Sequence, residues 1–150
     1  MAGKKFVTGV LLGFSVLLIS AQVFAQADII EKRQALMKSN AANAKAIKAA
    51  VESKDYATVE VKAKDIMGNA EKIVSLFPKG STAGKTKATA AIWEKPDDFA
   101  KAAKNLGKAA GELAAVAKAG NEADVDVKFK ALGEACGSCH KAFRAEKYSE

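Results

Sequence analysis

Residues 123–147 read ADVDVKFKALGEACGSCHKAFRAEK, and their apolar side chains recur at the three- and four-residue spacing of one helix face. The apolar positions are Val125, Phe129, Leu132, Cys136, Cys139 and Phe143. No proline interrupts the stretch. The pattern predicts an amphipathic helix over about 123–147, with both cysteines on its apolar face.

Three segments upstream have the same helical period. They cover about residues 28–52, 55–77 and 96–121. Asp55 is a good N-cap, Pro78 ends the second segment, and Pro96 opens the third. A polar loop at about 79–90, rich in Gly, Ser, Thr and Lys, separates these two segments. Four amphipathic helices with mostly short connections predict an all-α, antiparallel four-helix bundle.

The N-terminus has the layout of a targeting signal rather than of a folded element. Two early lysines precede an apolar run over 6–20, and small residues offer cleavage after Ala25 or Ala27. The run is shorter than the roughly 20 residues that a spanning helix needs. We therefore predict a secretory signal peptide over 1–25, one domain over 26–150, and no stable membrane insertion after cleavage.

The formal net charge is +7 at pH 7, and the lysines are spread along the chain. Because no basic block is interleaved with aromatic residues, nucleic-acid binding is not predicted. The lysines are expected on solvated helix faces, where they could also steer the protein toward acidic partners. The sequence contains no paired carboxylates, no nucleophile beside a base and no phosphate loop, so an enzyme is not predicted.

Residues 136–140 read CGSCH, which is the spacing of c-type haem attachment. Positions i, i+3 and i+4 of a helix share a face. Cys136 and Cys139 can therefore each form a thioether with a vinyl group of one porphyrin, and His140 can reach the iron from that edge. The residues between the cysteines are small, which lets the macrocycle approach the backbone. The motif predicts one haem c, held covalently by two thioethers.

Other interpretations of the two cysteines are weaker. A disulfide is usual in exported proteins, but it leaves the adjacent histidine unexplained. A thioredoxin-like C-x-x-C normally opens a helix after a strand, and a zinc site needs about four Cys or His ligands. The chain has two Cys and one His in total. Haem attachment is favoured, with a haem-free exported bundle as an alternative.

Periodicity alone does not choose the sixth iron ligand. A methionine, a second histidine or no residue can occupy that side, and the chain has no second histidine. Met1 belongs to the predicted signal peptide, which leaves Met37 and Met67. Both lie on helical stripes, where methionine commonly fills a core.

The predicted mature chain resembles the class II cytochromes c, the cytochrome c′ family. Its C-terminal motif, extended to Phe143 and Arg144, resembles the family's C-x-x-C-H-x-x-aromatic-Arg ending. Residues 33–37, RQALM, resemble the Arg-Gln segment of the family's first helix. Residues 76–78, LFP, and 91–93, AIW, resemble the pieces that flank its loop between the second and third helices. The resemblance implies a four-helix bundle with haem on the C-terminal helix, in a bacterial periplasm.

The resemblance also bears on iron coordination. In cytochromes c′ proper, an apolar residue of the first helix faces a five-coordinate iron that binds nitric oxide or carbon monoxide. Low-spin relatives carry methionine there, four residues after the arginine of the Arg-Gln segment, and this position is Met37 here. The resemblance therefore implies an iron ligated by His140 and Met37 in a monohaem electron carrier. The alternative is a five-coordinate, gas-binding protein. Met67 is assigned to the core.

Further roles carry over from the same resemblance. Arg33 is expected near the haem edge, paired with a propionate. Arg144, one turn beyond His140, is expected close to the proximal imidazole. Trp93 and Phe143 are expected to pack around the macrocycle. Redox partner proteins are implied but not identified, and a homodimer through the first two helices is an expectation from the family alone.

Overall fold

The computed structural model describes the backbone of residues 11–82 and 84–147, and the side chains of residues 27–82 and 84–147. These residues form five helices and one 3₁₀ turn. The helices are α1 (Leu11–Glu52), α2 (Tyr56–Ala70), α3 (Ala91–Glu94), α4 (Pro96–Lys118) and α5 (Glu122–Phe143). The 3₁₀ turn is Val74–Leu76.

The four long helices form a bundle that is closed on three sides. Helix α1 packs on α2, α2 packs on α4, and α4 packs on α5, whereas α1 and α5 scarcely contact one another. The fully buried core includes Ile47, Ile66, Leu113, Val125 and Leu132. Burying each such side chain contributes roughly 1.5–3 kcal/mol. The predicted all-α four-helix bundle is confirmed, and the open side between α1 and α5 positions the site.

Several helix boundaries follow from capping residues. The Asp55 carboxylate accepts a bond of 3.1 Å from the backbone N–H of Thr58, which caps α2 as predicted. Helix α4 begins at Pro96, where a missing N–H costs nothing. The Asn121 side chain caps α5, and Gly120 before it has a φ of +66°, a conformation that favours glycine.

Helix α1 begins at Leu11, well before its expected start at about residue 28. The intervening stretch is rich in helix formers and has no proline, so nothing in it ends a helix. Residues 1–10 of the predicted signal peptide lie outside the described residues, and Ala25 and Ala27 lie within α1. The signal peptide therefore stays a prediction. Among the described residues, no helix is both long and apolar enough to cross a membrane.

Two other helices end earlier than expected. Helix α2 stops at Ala70 rather than near residue 77, after the poor helix formers Gly68 and Asn69. Ile73 is nevertheless buried, because the turn that follows folds back onto the core. Helix α5 stops at Phe143 rather than at residue 147, since the next residue is extended.

Candidate haem site

A cleft of about 390 Å³ opens on the side where α1 and α5 fail to meet. From α1 and α5 it is lined by Arg33, Gln34, Met37, Lys38, Ala41, Cys139, His140 and Phe143. Between them lie Phe77, Thr86, Lys87, Ala88, Ile92 and Phe99, and Arg144 completes the lining. The cleft thus has two helical walls, an α1 wall and an α5 wall, with aromatic and aliphatic side chains between them.

The α5 wall brings the predicted attachment residues together. Cys139 and His140 line the cleft, and Cys136 packs against the core one turn earlier. Both thiols are free and half-buried. Burial raises the pKa of both cysteines, and for Cys139 the neighbouring Cys136 raises it further. The thiols are therefore protonated at neutral pH.

The single histidine is held in the form that binds metal. Desolvation at the cleft lowers the pKa of His140, and the positive charge of Arg144 lowers it further. A lowered pKa favours the neutral imidazole at pH 7. The backbone N–H of Arg144 donates to the His140 carbonyl at 3.0 Å.

Met37 is half-buried in the α1 wall, one turn after Arg33 on the same helix face. His140 and Met37 thus come from the two helical walls of one cleft. Met67 lies elsewhere: it packs against the core near α4, with its sulfur 3.2 Å from the position that a Cβ at Gly111 would occupy. The assignment of Met67 to the core agrees with this placement.

Arg33 is a buried cation, only 3% exposed. Its guanidinium donates to the hydroxyl and the carbonyl of Ser81 at 3.0 and 2.9 Å, and to the hydroxyl of Thr86 at 2.8 Å. It also lies over the Phe77 ring, 4.7 Å from the centroid. None of the carboxylates among residues 27–82 and 84–147 forms an ion pair with it.

One loop segment borders the cleft and links its walls. We call residues 81–82 and 84–89 the cleft strap. On one side Arg33 holds it, together with Gln34, whose amide donates to the Lys85 carbonyl at 2.8 Å. On the other side Ala88 and Arg144 form an isolated antiparallel bridge. Sequence reasoning missed the strap, because a loop rich in Gly, Ser, Thr and Lys carries no local signal of its distant partners.

The two aromatic residues expected around the macrocycle are placed differently relative to the cleft. Phe143 lines the cleft and meets Phe99 edge to face, with ring centroids 5.2 Å apart. Trp93 is not among the lining residues. Its indole N–H instead donates to the carbonyls of Phe77 and Pro78, both at 3.0 Å, because a half-buried indole needs an acceptor. The expectation that Trp93 packs around a macrocycle stays a prediction.

The chemistry of the cleft fits a covalently attached haem. It offers two free thiols on one helix face, a neutral imidazole and apolar walls. A buried guanidinium without a carboxylate partner among the described residues is suited to a propionate. No group of three or more His, Cys, Asp or Glu within the described part of the chain could hold a bare metal ion.

The comparisons with known proteins agree with this geometry. A sequence model of the family described as Cytochrome C' matches residues 28–144. Cytochrome c′ of Rhodospirillum rubrum is 44% identical over 86 residues, which are 56% of this chain and 58% of that protein. Cytochrome c-556 of Agrobacterium fabrum is 34% identical over 133 residues, 87% of this chain and 89% of that protein. A solved cytochrome c′, described as having a ligand-controlled dimer dissociation, has a TM-score of 0.75 at 31% identity and covers 81% of this chain and 97% of its own.

The match covers 58% of the Rhodospirillum rubrum protein, and 46% and 53% of two proteins named cytochrome c-554 from Cereibacter sphaeroides. It therefore spans about half of the length of these three relatives. The family match, in contrast, spans most of the present chain. Proteins of this family bind one covalently attached c-type haem, and Cys136 and Cys139 are consistent with that cofactor. The chain belongs to the cytochrome c′ family.

Proposed function

We propose that the protein is a periplasmic monohaem cytochrome that carries electrons and is not an enzyme. Cys136 and Cys139 would hold the haem through two thioethers, and His140 would bind the iron from the α5 wall. Met37 would bind it from the α1 wall. The observation that carries this proposal is that His140 and Met37 line the two helical walls of one cleft.

The ligand set has a physical consequence. A bound haem supplies one-electron exchange at its iron. A methionine opposite a histidine raises the reduction potential in cytochromes. If Met37 were the sixth ligand, no position at the iron would be open to a substrate. That arrangement suits electron transfer rather than ligand chemistry.

Two arginines would assist the cofactor. Arg33 would pair with a propionate, since it is a buried cation and three of its five N–H donors reach the strap. Arg144 would tune His140, because its charge favours the neutral imidazole. Both assignments rest on the lining of the cleft.

The comparisons favour a second function, the binding of a small gas such as nitric oxide or carbon monoxide at a five-coordinate iron. Many of the relatives carry the name cytochrome c′, and no finding specifically supports the low-spin Met/His branch. One solved relative is described as having a ligand-controlled dimer dissociation. For this function Met37 would pack beside the iron without binding it. The comparisons support gas binding better than electron carriage, and the placement of Met37 is the observation that favours the carrier.

We also propose that the protein is exported to the periplasm and forms a homodimer. Export to the periplasm is supported by the predicted signal peptide and by the family. A homodimer is supported by the same solved relative, whose description includes a dimer. The redox partners would be proteins that reach the cleft from outside.

The ferric absorption and electron-paramagnetic-resonance spectra of the haem-loaded protein separate the two functions. Met37→Leu is the test variant, and Met67→Leu is the matched control because it removes a sulfur from the core. We expect a low-spin wild type, a high-spin Met37→Leu protein with a lower reduction potential, and an unchanged control. A high-spin wild type that Met37→Leu does not alter would exclude Met37 as a ligand and establish the open iron of the gas-binding function.

A further inference from the structure

We propose that the mouth of the cleft is a docking surface for an acidic protein, whose carboxylates are recognised by Lys38, Lys87 and Arg144. This inference rests on the proposed electron-carrier function and names the chemistry of its partner. The surface is the place where a redox partner would come nearest to the haem. Its charge decides which partners can approach.

The described lining of the cleft contains four cationic side chains and no carboxylate. Arg33 is buried and turned to the strap, whereas Lys38 and Arg144 are exposed and Lys87 is partly exposed. These three surface cations come from α1, from the strap and from the residue that follows α5. Three separate parts of the chain therefore converge to place positive charge at one opening.

Two of the mouth cations form no ion pair with a described carboxylate. Some lysines of the helix faces do pair with acids one turn away, as Lys32 does with Asp28 at 2.6 Å. Among the described residues, neither Lys38 nor Arg144 takes part in an ion pair. The Lys87 ammonium donates to the backbone carbonyl of Glu146 at 2.7 Å.

Among the described residues, the cleft lining has four cations, Arg33 among them, against the two propionates of a haem. Charges of one sign beside low-dielectric walls focus the field and raise association rates with oppositely charged partners. Charge complementarity also orients such partners. Without Lys4 and Lys5 of the predicted signal peptide, the formal net charge is 7 − 2 = +5. This charge attracts acidic molecules from a distance, and the mouth cations give them a place to bind.

The occupant is better described as a protein than as a membrane. Surface-bound proteins combine cations with an apolar wedge that enters the lipid. The exposed large hydrophobic side chains of the described residues are Val61, Val74 and Val127, and none of them lines the cleft. The mouth therefore has the positive charge that anionic lipids attract, but no exposed apolar side chain to enter the lipid. Binding of carboxylates on a folded protein needs only the positive charge.

The test uses the full-length haem-loaded protein with an acidic plant-type ferredoxin as the probe. Calorimetry measures binding of the oxidised ferredoxin, and stopped-flow absorption measures reduction of the ferric protein by reduced ferredoxin, both over rising ionic strength. The variants are Lys38→Glu and Lys38→Glu/Lys87→Glu. The control is Lys104→Glu/Lys108→Glu, which changes the charge equally on α4, at a groove facing α2. The single variant stays informative if the double variant folds poorly, because Lys38 is exposed.

We expect tight, salt-sensitive binding for the wild type at low ionic strength. Binding and reduction should fall roughly tenfold or more in the double mouth variant, and about twofold in the control. Equal losses in both variants would mean that only net charge matters, and would overturn the proposal. A rate independent of salt would overturn it too. Binding to anionic phosphatidylserine vesicles instead of ferredoxin, lost in the mouth variants, would assign the surface to membranes.

The same experiment distinguishes failure of the docking surface from failure of the electron-carrier function. Ferredoxin that binds at the mouth without passing an electron would remove the carrier function and leave the docking surface. Rapid reduction by neutral hydroquinone, with no binding of ferredoxin, would leave the carrier function and remove the docking surface.

Discussion

The guanidinium of Arg33 donates to both the hydroxyl and the carbonyl of Ser81, at 3.0 and 2.9 Å, although 48 residues separate them. Arg33 therefore lines the cleft and also holds the bordering strap in place by hydrogen bonds. Burial lowers the pKa of Arg33, but a guanidinium stays charged in proteins. A buried cation fastened by neutral oxygens is an arrangement that an added carboxylate would stabilise.

Removing the hydrogen bonds of Arg33 should make the strap less stable. We expect Arg33→Met to lower the free energy of unfolding by about 2–3 kcal/mol, since bonds to a buried charged group contribute roughly 1.5–3 kcal/mol. Gln34→Ala, which loses one exposed bond to the Lys85 carbonyl, should cost about 1 kcal/mol or less. Urea unfolding of both variants measures the difference. Equal effects would contradict a special role for Arg33.

The covalent attachment gives a second prediction. Cys136→Ala and Cys139→Ala should each retain haem through one thioether, and the double variant should lose all covalent haem. Haem staining of the denatured protein, with its intact mass, measures this because only covalent haem survives denaturation. Ser138→Ala is the control, since Ser138 is exposed and bonds only to the Ala135 carbonyl of its own helix. Covalent haem in the double variant would rule out both thioether positions.

The sequence was sufficient for the bundle because its helical period is a local property. The stripes of α4 and α5 correspond to buried positions such as Phe99, Leu113 and Leu132. The Asp55 cap of α2 and the start of α4 at Pro96 could also be predicted, since both signals depend on neighbouring residues alone. The CGSCH motif was equally local, and the structure places Cys139 and His140 on the cleft.

What depends on distant contacts could not be read in this way. Ser81 and Thr86 looked like ordinary loop residues, and only the folded chain shows that Arg33 bonds to them. The end of α5 depends on the bridge between Ala88 and Arg144, which joins residues far apart in sequence. Trp93 was placed by resemblance, and its two carbonyl partners are visible only in the fold.

Replacing Gly133 or Gly120 with alanine should change the stability of the protein in opposite directions. Gly133 lies inside α5, and a Cβ added there would meet nothing within 4 Å. Gly133→Ala should stabilise the protein by about 0.5–1 kcal/mol, because glycine is a poor helix former. Gly120 has a φ of +66°, so Gly120→Ala should destabilise it by about 1 kcal/mol or more. Thermal unfolding of the two variants should move the midpoint in opposite directions, and a shift of the same sign would contradict this reasoning.

The two helix caps should differ in their response to acid. Asn121 caps α5 with a neutral side chain, and its amide also donates to the Asp124 carboxylate, so Asn121→Ala should cost about 1 kcal/mol at pH 7. Hydrogen bonds from the side chain and backbone of Thr58 lower the pKa of the Asp55 carboxylate. A lowered pKa in the folded state adds stability that is present above the ordinary pKa, about 3.9, and is lost as the pH falls through the lower folded value. Asp55→Asn keeps an acceptor for Thr58 but has no charge to lose.

We therefore expect wild type to exceed Asp55→Asn in stability at pH 7 and pH 5, and the difference to shrink at pH 3 and below. Urea unfolding at these three pH values measures it. The other acids are present in both proteins and cancel in the comparison. A difference that persists unchanged at pH 2 would mean that the Asp55 cap acts through its shape rather than its charge.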